Sequence, residues 1–299
     1  MEEQSTSSEQ EFCVPVTSGS LVHLIDLPME YRAEVECGYT SGWVVLDEFL
    51  QGIRMGELTV ITADTGVGKT TFSLHLALNC ALQGVGVWIN SWEMQPSMVL
   101  RKLASIVLRK PMKLADFTAE DNAAFDTFVS SVALYVNPNT IGMGISTLAL
   151  ALRQARDRGV QVVVLDHLDY LIDTARFRER THEAIEEVMR RLHELTFELQ
   201  MHIILICHPR QAGNPTEEVG IHALKGSSSI KQYADNVLIL HRCNRTDPSA
   251  DKNKVKVRVA KNRMFGTEGN AFLYYQPLWD GFADLIDTPS PKSLLNHSP

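Results

Sequence analysis

Residues Ile61–Leu78 read ITADTGVGKTTFSLHLAL, and the reading of their first half decides the fold. They follow the phosphate-loop pattern G-x-x-x-x-G-K-[ST] at every position but the first. Ala63 stands where the leading glycine belongs, ahead of Asp64, Thr65, Gly66, Val67, Gly68, Lys69 and Thr70. Such a loop aims successive backbone N–H groups at phosphate, backed by the positive end of a helix. Gly66 and Gly68 keep side chains out of that cradle. The first position only permits a tight exit from the strand, and alanine is small enough for it if its backbone stays in an ordinary region. The apolar Leu58–Thr62 precedes the loop as a strand, and Thr70–Leu82 follows as a helix closed by Gly84. Both flanks that the motif requires are present, so a chance glycine-rich turn is the weaker reading. Asp64 to Thr71 are then the nucleotide-binding residues, with Lys69 reaching the β- and γ-phosphates and Thr70 holding Mg²⁺.

Outward from the loop, strands and helices alternate. Val85–Asn90 is a buried strand, and Ser97–Arg109 is a helix opened by Pro96. Thr118 with Asp121 marks another helix start. Ser146–Arg158 is helical and ends at Gly159, and Val160–Leu165 is a β-branched run of the kind buried on both sheet faces. Thr181–Leu199 repeats Ile185, Val188, Leu192, Leu195 and Leu199 along one helical face. After His202–Cys207 come three strands with no helix between them, Asn236–Leu240, Lys254–Ala260 and Ala271–Tyr275. The order predicts an α/β fold: a mostly parallel central sheet with helices on both faces and an antiparallel β end.

Two acidic residues fall where a nucleotide site needs them. Asp166 ends the strand run VVVLD, at the C-terminal sheet edge where ligands of open α/β sheets gather. It is the second magnesium partner beside Thr70. Glu93 lies just past the second strand on the same edge as Lys69. It can orient the attacking water that hydrolysis needs, against the ordinary reading of a surface glutamate in a βα loop.

Net charge is −8, which argues against a generally basic nucleic-acid binder but leaves room for a local basic groove. Between positions 252 and 263, however, there are six basic residues and no acidic one. Lys252, Lys254 and Lys256 read as the solvent face of an edge strand, where lysines deter edge pairing. Lys261 and Arg263, two residues apart, also suit a second role as cations offered to a neighbour's γ-phosphate. Cys13, Cys37, Cys80, Cys207 and Cys243 form no C-x-x-C pair, so neither a zinc ribbon nor a disulfide framework is expected. Scattered thiols, no apolar run of about 18 residues and an acidic polar N-terminus together predict a cytoplasmic protein without a membrane partner. The expected organisation is a disordered tail over 1–20, a linker segment over 21–41, a motor domain over 42–287 and a disordered tail over 288–299.

The chain from about Gly42 to Phe282 resembles the ATPase motor of the DnaB-like ring helicases of superfamily 4. It looks closest to the branch of the mitochondrial Twinkle helicase and the T-odd phage helicase–primase. The resemblance rests on GELTVITADTGVGKTTF, SWEMQPSMVLRKLAS, VVVLDHLDYL, IILICHPRQ, LKGSSSIKQYADNVLIL and AKNRMFGTEG, in that order. It implies a RecA-like P-loop NTPase that uses ATP and Mg²⁺, forms a homo-oligomeric ring (expected to be a hexamer) on single-stranded DNA and unwinds duplex 5′ to 3′ in replication. Glu93 then maps to the water-activating glutamate and Asp166 to the magnesium aspartate. His208 maps to a polar sensor of the γ-phosphate, with glutamine in DnaB proper. Lys261 and Arg263 map to a lysine and an arginine finger acting in trans. Arg210, Gln211, Lys225, Gly226 and Ser227 are the DNA-contact candidates. No zinc-ribbon, primase-like or DnaB-type helical region precedes the motor in this sequence, so a separate primase or loader is an admissible partner and residues 21–36 are the candidate linker onto the next subunit. A RecA-family ATPase without helicase activity, either a recombinase-like filament or a signalling ring, is the alternative. A scaffold with a dead site ranks last, since every catalytic position is filled.

Overall fold

The computed structural model describes residues 38–111, 117–138, 143–172, 181–209, 220 and 227–284. The expected tails and residues 21–36 of the linker lie outside the described residues. In chain order the elements are α1 (Val44–Leu50), β1 (Leu58–Ala63), α2 (Lys69–Ala81), β2 (Gly86–Ser91), α3 (Pro96–Leu108), α4 (Ala119–Ser131), β3 (Leu134–Val136), α5 (Ile145–Asp157), β4 (Val160–Asp166), α6 (Thr181–Leu199), β5 (His202–Cys207), α7 (Ser227–Tyr233), β6 (Asn236–Arg242), β7 (Lys254–Asn262), β8 (Gly269–Gln276) and β9 (Gly281–Ala283). Among the described residues the strands form one sheet in the order β3-β2-β4-β5-β1-β6-β7-β8-β9. The first six run parallel and the last three pairings are antiparallel. The expected mostly parallel sheet with an antiparallel end is what forms.

The central strands carry apolar residues on both faces, so each strand serves two cores. Val162 and Val164 of β4 join Ile61, Ile204 and Leu238 under α1, α2 and α3. Val163 and Leu165 join Val60, Ile203 and Leu205 under α5, α6 and α7. The helices differ accordingly. The α6 stripe of Ile185, Val188, Leu192 and Leu195 is buried as its spacing predicts. Almost all of α2 is buried, from Phe72 through Ala81, because it lies between the sheet and further elements. Thr118 caps α4 through the full reciprocal box with Asp121. The strands the sequence reading missed, β3 and β9, are three residues each, too short to show a period.

One expectation is corrected. The strand bearing Lys254 and Lys256 is not an edge, because β7 pairs with β6 on one side and β8 on the other. Val255, Val257 and Val259 point into the core while the basic side chains occupy the opposite face, where Lys254 rests over the Phe272 ring at 4.6 Å. The lysines are therefore a solvated face of an interior strand, and the short β9 closes the sheet beyond them.

An aromatic knot ties the end of the sheet to the phosphate-loop helix. Trp43 stacks on Phe72 at 4.9 Å and meets His75 and Phe282 edge-on. The N–H of Phe282 donates to Nδ1 of His75 at 3.2 Å, so that nitrogen must stay unprotonated. Burial, with the charge of Arg109 as a lesser cause, pushes the His75 pKa down from 6.5 to about 3. The unfolded chain therefore takes up a proton below about pH 6.5 that the folded site refuses. Stability is full above that pH and falls on acidification. From pH 7.5 to 5.5 His75 alone should lower unfolding free energy by about 1.4 kcal/mol. His202, also held low by burial, acts in the same direction. Urea titrations at the two pH values measure the total, and His75→Gln should remove the His75 share.

Candidate functional site

β1 runs out at Ala63 into the loop and α2 begins at Lys69. Gly66 and Gly68 have φ of +74° and +112°, a region that strains any residue with a side chain. A Cβ on Gly68 would also press on the Phe282 ring at 3.3 Å. Ala63, by contrast, is the last residue of a regular strand, with no positive φ. That is why the missing first glycine costs the loop nothing. Val67 is fully buried and anchors the loop from below. Phe72 makes the first helical bond, to the Gly68 carbonyl. The amides of Lys69, Thr70 and Thr71 therefore precede the helical ladder, as at any helix start.

Lys69 folds back over the loop, its Nζ donating to the Ala63 carbonyl at 2.9 Å. Burial lowers its pKa, and Asp166, Glu93 and Asp64 oppose that shift. The loop is clamped from the side by Arg245, which the sequence reading missed. Its guanidinium bonds the Asp64 carboxylate and donates to the Thr65 carbonyl at 2.7 Å. Arg245 lies just past β6, the sheet neighbour of β1, a proximity that no local motif reveals. The hydroxyl of Thr71 turns to Lys102 at 3.0 Å and Asp280 at 3.5 Å.

Asp166 ends β4 beside Ser91, its register partner at the end of β2. Thr70 Oγ1 donates to Asp166 Oδ2 at 3.0 Å and Ser91 Oγ to the same oxygen at 3.4 Å. The other oxygen, Oδ1, is buried without a hydrogen-bond partner. With the residue 2% exposed, burial raises the Asp166 pKa against the Thr70 bond. A buried carboxylate with one oxygen orphaned is costly. A divalent cation between Thr70 and Asp166 would satisfy that oxygen, so this pair fits a hard metal ion.

Glu93, half exposed, places Oε2 3.2 Å from His167 Nδ1 and 4.0 Å from His208 Nε2. The two imidazoles meet edge to face at 4.3 Å. Burial first, then the charge of Lys69, holds His208 below the usual histidine range, so its ring is neutral near pH 7. His167 is a second residue to which the sequence assigns no role. It follows Asp166 directly, and only the fold turns it towards Glu93.

Lys261 and Arg263 are elsewhere. Asn262 pairs with Asn236 at the start of β6, which lies level with Thr59 at the start of β1. Arg263 therefore sits at the sheet edge opposite to the phosphate loop. It pairs with Asp235 at 2.8 Å and also bonds His193 and the Gln232 and Ala234 carbonyls. Lys261 Nζ donates at 2.6 Å to the Lys231 and Ala234 carbonyls. The two do face the same patch, as their spacing predicts, and the Arg263 side chain is 40% exposed. Of the DNA candidates, Arg210, Gln211, Lys225 and Gly226 lie outside the described residues, and Ser227 is described only as the first residue of α7.

A family model described as the DnaB-like helicase C terminal domain matches residues 38–284. The chain is 26% identical over 254 residues to a probable plasmid replicative DNA helicase of Chlamydia psittaci, covering 81% of this chain and 54% of that protein. It is 26% identical over 263 residues to the replicative DNA helicase DnaC of Bacillus subtilis, covering 83% and 57%. The chain thus spans a little over half the length of these relatives. Among solved structures, one of a DnaB-like replicative helicase and its interactions with primase superposes with a TM-score of 0.74 at 23% identity, covering 86% of this chain and 64% of that one. A second solved structure, of a separate ATPase domain, superposes with a TM-score of 0.73 at 24% identity, covering 86% and 94%. These likenesses establish the RecA-like ATPase-domain fold. Among the described residues no helix is long and apolar enough to cross a membrane.

The Arg245 clamp yields a direct test. Its pair with Asp64 is about one-third exposed on both sides, so the interaction is modest. Arg245→Ala should speed hydrogen exchange of the amides at 65–68 and weaken binding of a fluorescent nucleotide by about two- to fivefold.

Proposed function

This chain belongs to the DnaB-like helicase C-terminal domain family, and on that premise we propose that it is the ATP-driven motor of a homo-oligomeric ring, a hexamer, that encircles single-stranded DNA and unwinds duplex 5′ to 3′ during replication. The observation that carries the reading is the opposite placement of Lys69 and Arg263 on one sheet. A single copy holds the phosphate cradle at one edge and an exposed guanidinium at the other. Two copies set edge to edge complete a site that neither completes alone.

In that site the Gly66–Gly68 loop and the start of α2 bind the phosphates through backbone N–H groups, and Lys69 leaves the Ala63 carbonyl to meet the β- and γ-phosphates. Thr70 and Asp166 would hold Mg²⁺, which would supply charge neutralisation for the phosphates. Glu93 orients the attacking water, with His167 Nδ1 fixing its carboxylate. His208, at the end of the strand between Asp166 and the loop, reads the γ-phosphate and passes its loss into the segment that follows. Arg263 and Lys261 of the adjacent copy stabilise the transferring phosphoryl group. Such a finger contributes roughly 10³–10⁵ in rate, so an isolated copy is nearly idle and assembly becomes the switch for turnover.

The DNA contacts we assign to Arg210, Gln211, Lys225, Gly226 and Ser227. They follow β5 and open α7, the stretch that His208 leads into. Cations, hydroxyls and backbone amides there grip phosphate without reading bases. The histidine at 208 favours the Twinkle and phage branch, and a separate primase or loader is a partner of the complete machine.

The magnesium assignment predicts that Mg²⁺ raises nucleotide affinity in the wild type and not in Asp166→Asn, read by titration with and without the ion. The shared site predicts complementation. Lys69→Ala and Arg263→Ala should each lose ATPase activity by at least about a thousandfold. Mixed, they should regain part of it, because some interfaces then pair an intact cradle with an intact finger. No recovery on mixing removes the in-trans reading. A forked-duplex assay with a strand-exchange control tests the motor itself, and exchange without unwinding would make it a recombinase.

A further inference from the structure

Beside the Thr70–Asp166 pair lies a second group of donor atoms of different chemistry. Glu93, His167 and His208 each offer one donor atom, and the three donor atoms lie within 4.8 Å of one another. Two imidazole nitrogens and one carboxylate suit zinc, a borderline ion, and not Mg²⁺, which takes oxygen ligands. With Zn–N bonds of about 2.0–2.1 Å, donors around a tetrahedral zinc stand roughly 3.3 Å apart. The Glu93–His167 separation is 3.2 Å and the Glu93–His208 separation 4.0 Å, so the His208 ring would have to draw in on Glu93 by less than about 1 Å.

The surroundings match as well. His167 Nε2 lies 3.7 Å from Asp169 Oδ2, so a carboxylate stands near the ring nitrogen that faces away from Glu93, where the outer partner of a metal-bound histidine is found. The three ligands hang just past the ends of β2, β4 and β5, adjacent strands of one rigid sheet. Glu93 and His208 are 50% and 35% exposed, so an ion enters without opening the core and a fourth position stays open to water.

We propose that Glu93, His167 and His208 form a three-ligand Zn²⁺ site whose occupation withdraws the water-orienting carboxylate and the γ-phosphate sensor together, and so arrests ATP turnover. The binding site stands on geometry alone. The arrest rests on the motor reading above.

Calorimetric titration of the full chain with Zn²⁺, in excess Mg²⁺ and without nucleotide, reads the site directly. One tight site is expected in the wild type and in Cys243→Ser, the partly exposed thiol among the described residues. It should be lost in His167→Asn and in His208→Asn, and weakened about 10–100-fold in Asp169→Asn. ADP affinity of each variant checks that it has folded. Zn²⁺ should reduce wild-type ATPase activity along the same binding curve, reversed by a chelator with Mg²⁺ restored. Equal Zn²⁺ affinity in the wild type and both histidine variants overturns the site. Saturation with Zn²⁺ at undiminished turnover overturns the arrest. A wild type that binds Zn²⁺ at this site but never hydrolyses ATP overturns the motor reading and leaves the site intact.

Discussion

Strand direction is the constraint on which the rest of this protein hangs. β1, β2, β4 and β5 run parallel, so their C-terminal ends share one edge of the sheet. Ala63, Ser91, Asp166 and Cys207 end those strands, and the phosphate loop, Glu93, His167 and His208 follow directly. Parallel pairing needs long crossovers, and the apolar faces of α2, α5 and α6 supply them by covering both sides of the sheet. The antiparallel turn into β7 reverses this order. It carries Lys261 and Arg263 back to the opposite edge, where Asp235 receives Arg263 and also bonds the amide of Leu58 at the start of β1. One topological change thus sets Lys69 and Arg263 at opposite edges of the same sheet.

The chemistry at the first edge is a balance of burial and charge. Lys69 is driven towards its neutral form by burial and held charged by Asp166, Glu93 and Asp64. Asp166 is driven towards its protonated form by burial and held ionised in part by Thr70. Each is costly alone, and phosphate with a metal ion would relieve both at once. His208 is held low first by burial and then by Lys69, with Glu93 opposing the shift. The same crowding gives Glu93 two histidine neighbours, and with them a donor set that hard metal ions do not need.

Much of this was legible in the residues. The phosphate loop, Asp166 and Glu93 are local signals: a glycine pair with lysine, and acids placed just after apolar strands. Lys261 and Arg263 were legible as a pair facing one way, because alternation in a strand fixes that. Illegible were Arg245 and His167, since each acts across strands that meet only when the sheet is assembled. The edge-strand reading of Lys254 and Lys256 failed for the same reason. A basic face looks alike on an edge and an interior strand, and only the pairing with β8 distinguishes them.

By itself the sequence determined the layered α/β architecture, the phosphate cradle and the acids beside it, because hydrophobic period and glycine placement act over a few residues. It also admitted Ala63 in place of glycine on the condition of an ordinary backbone, and the structure met that condition by making Ala63 the last residue of a regular strand. Only the tertiary structure decided that Arg263 and Lys69 stand at opposite edges, that Arg245 clamps the loop, and that Glu93 lies between two histidines. Those relations depend on strand order and direction, which arise from long-range pairing and are written in no single segment.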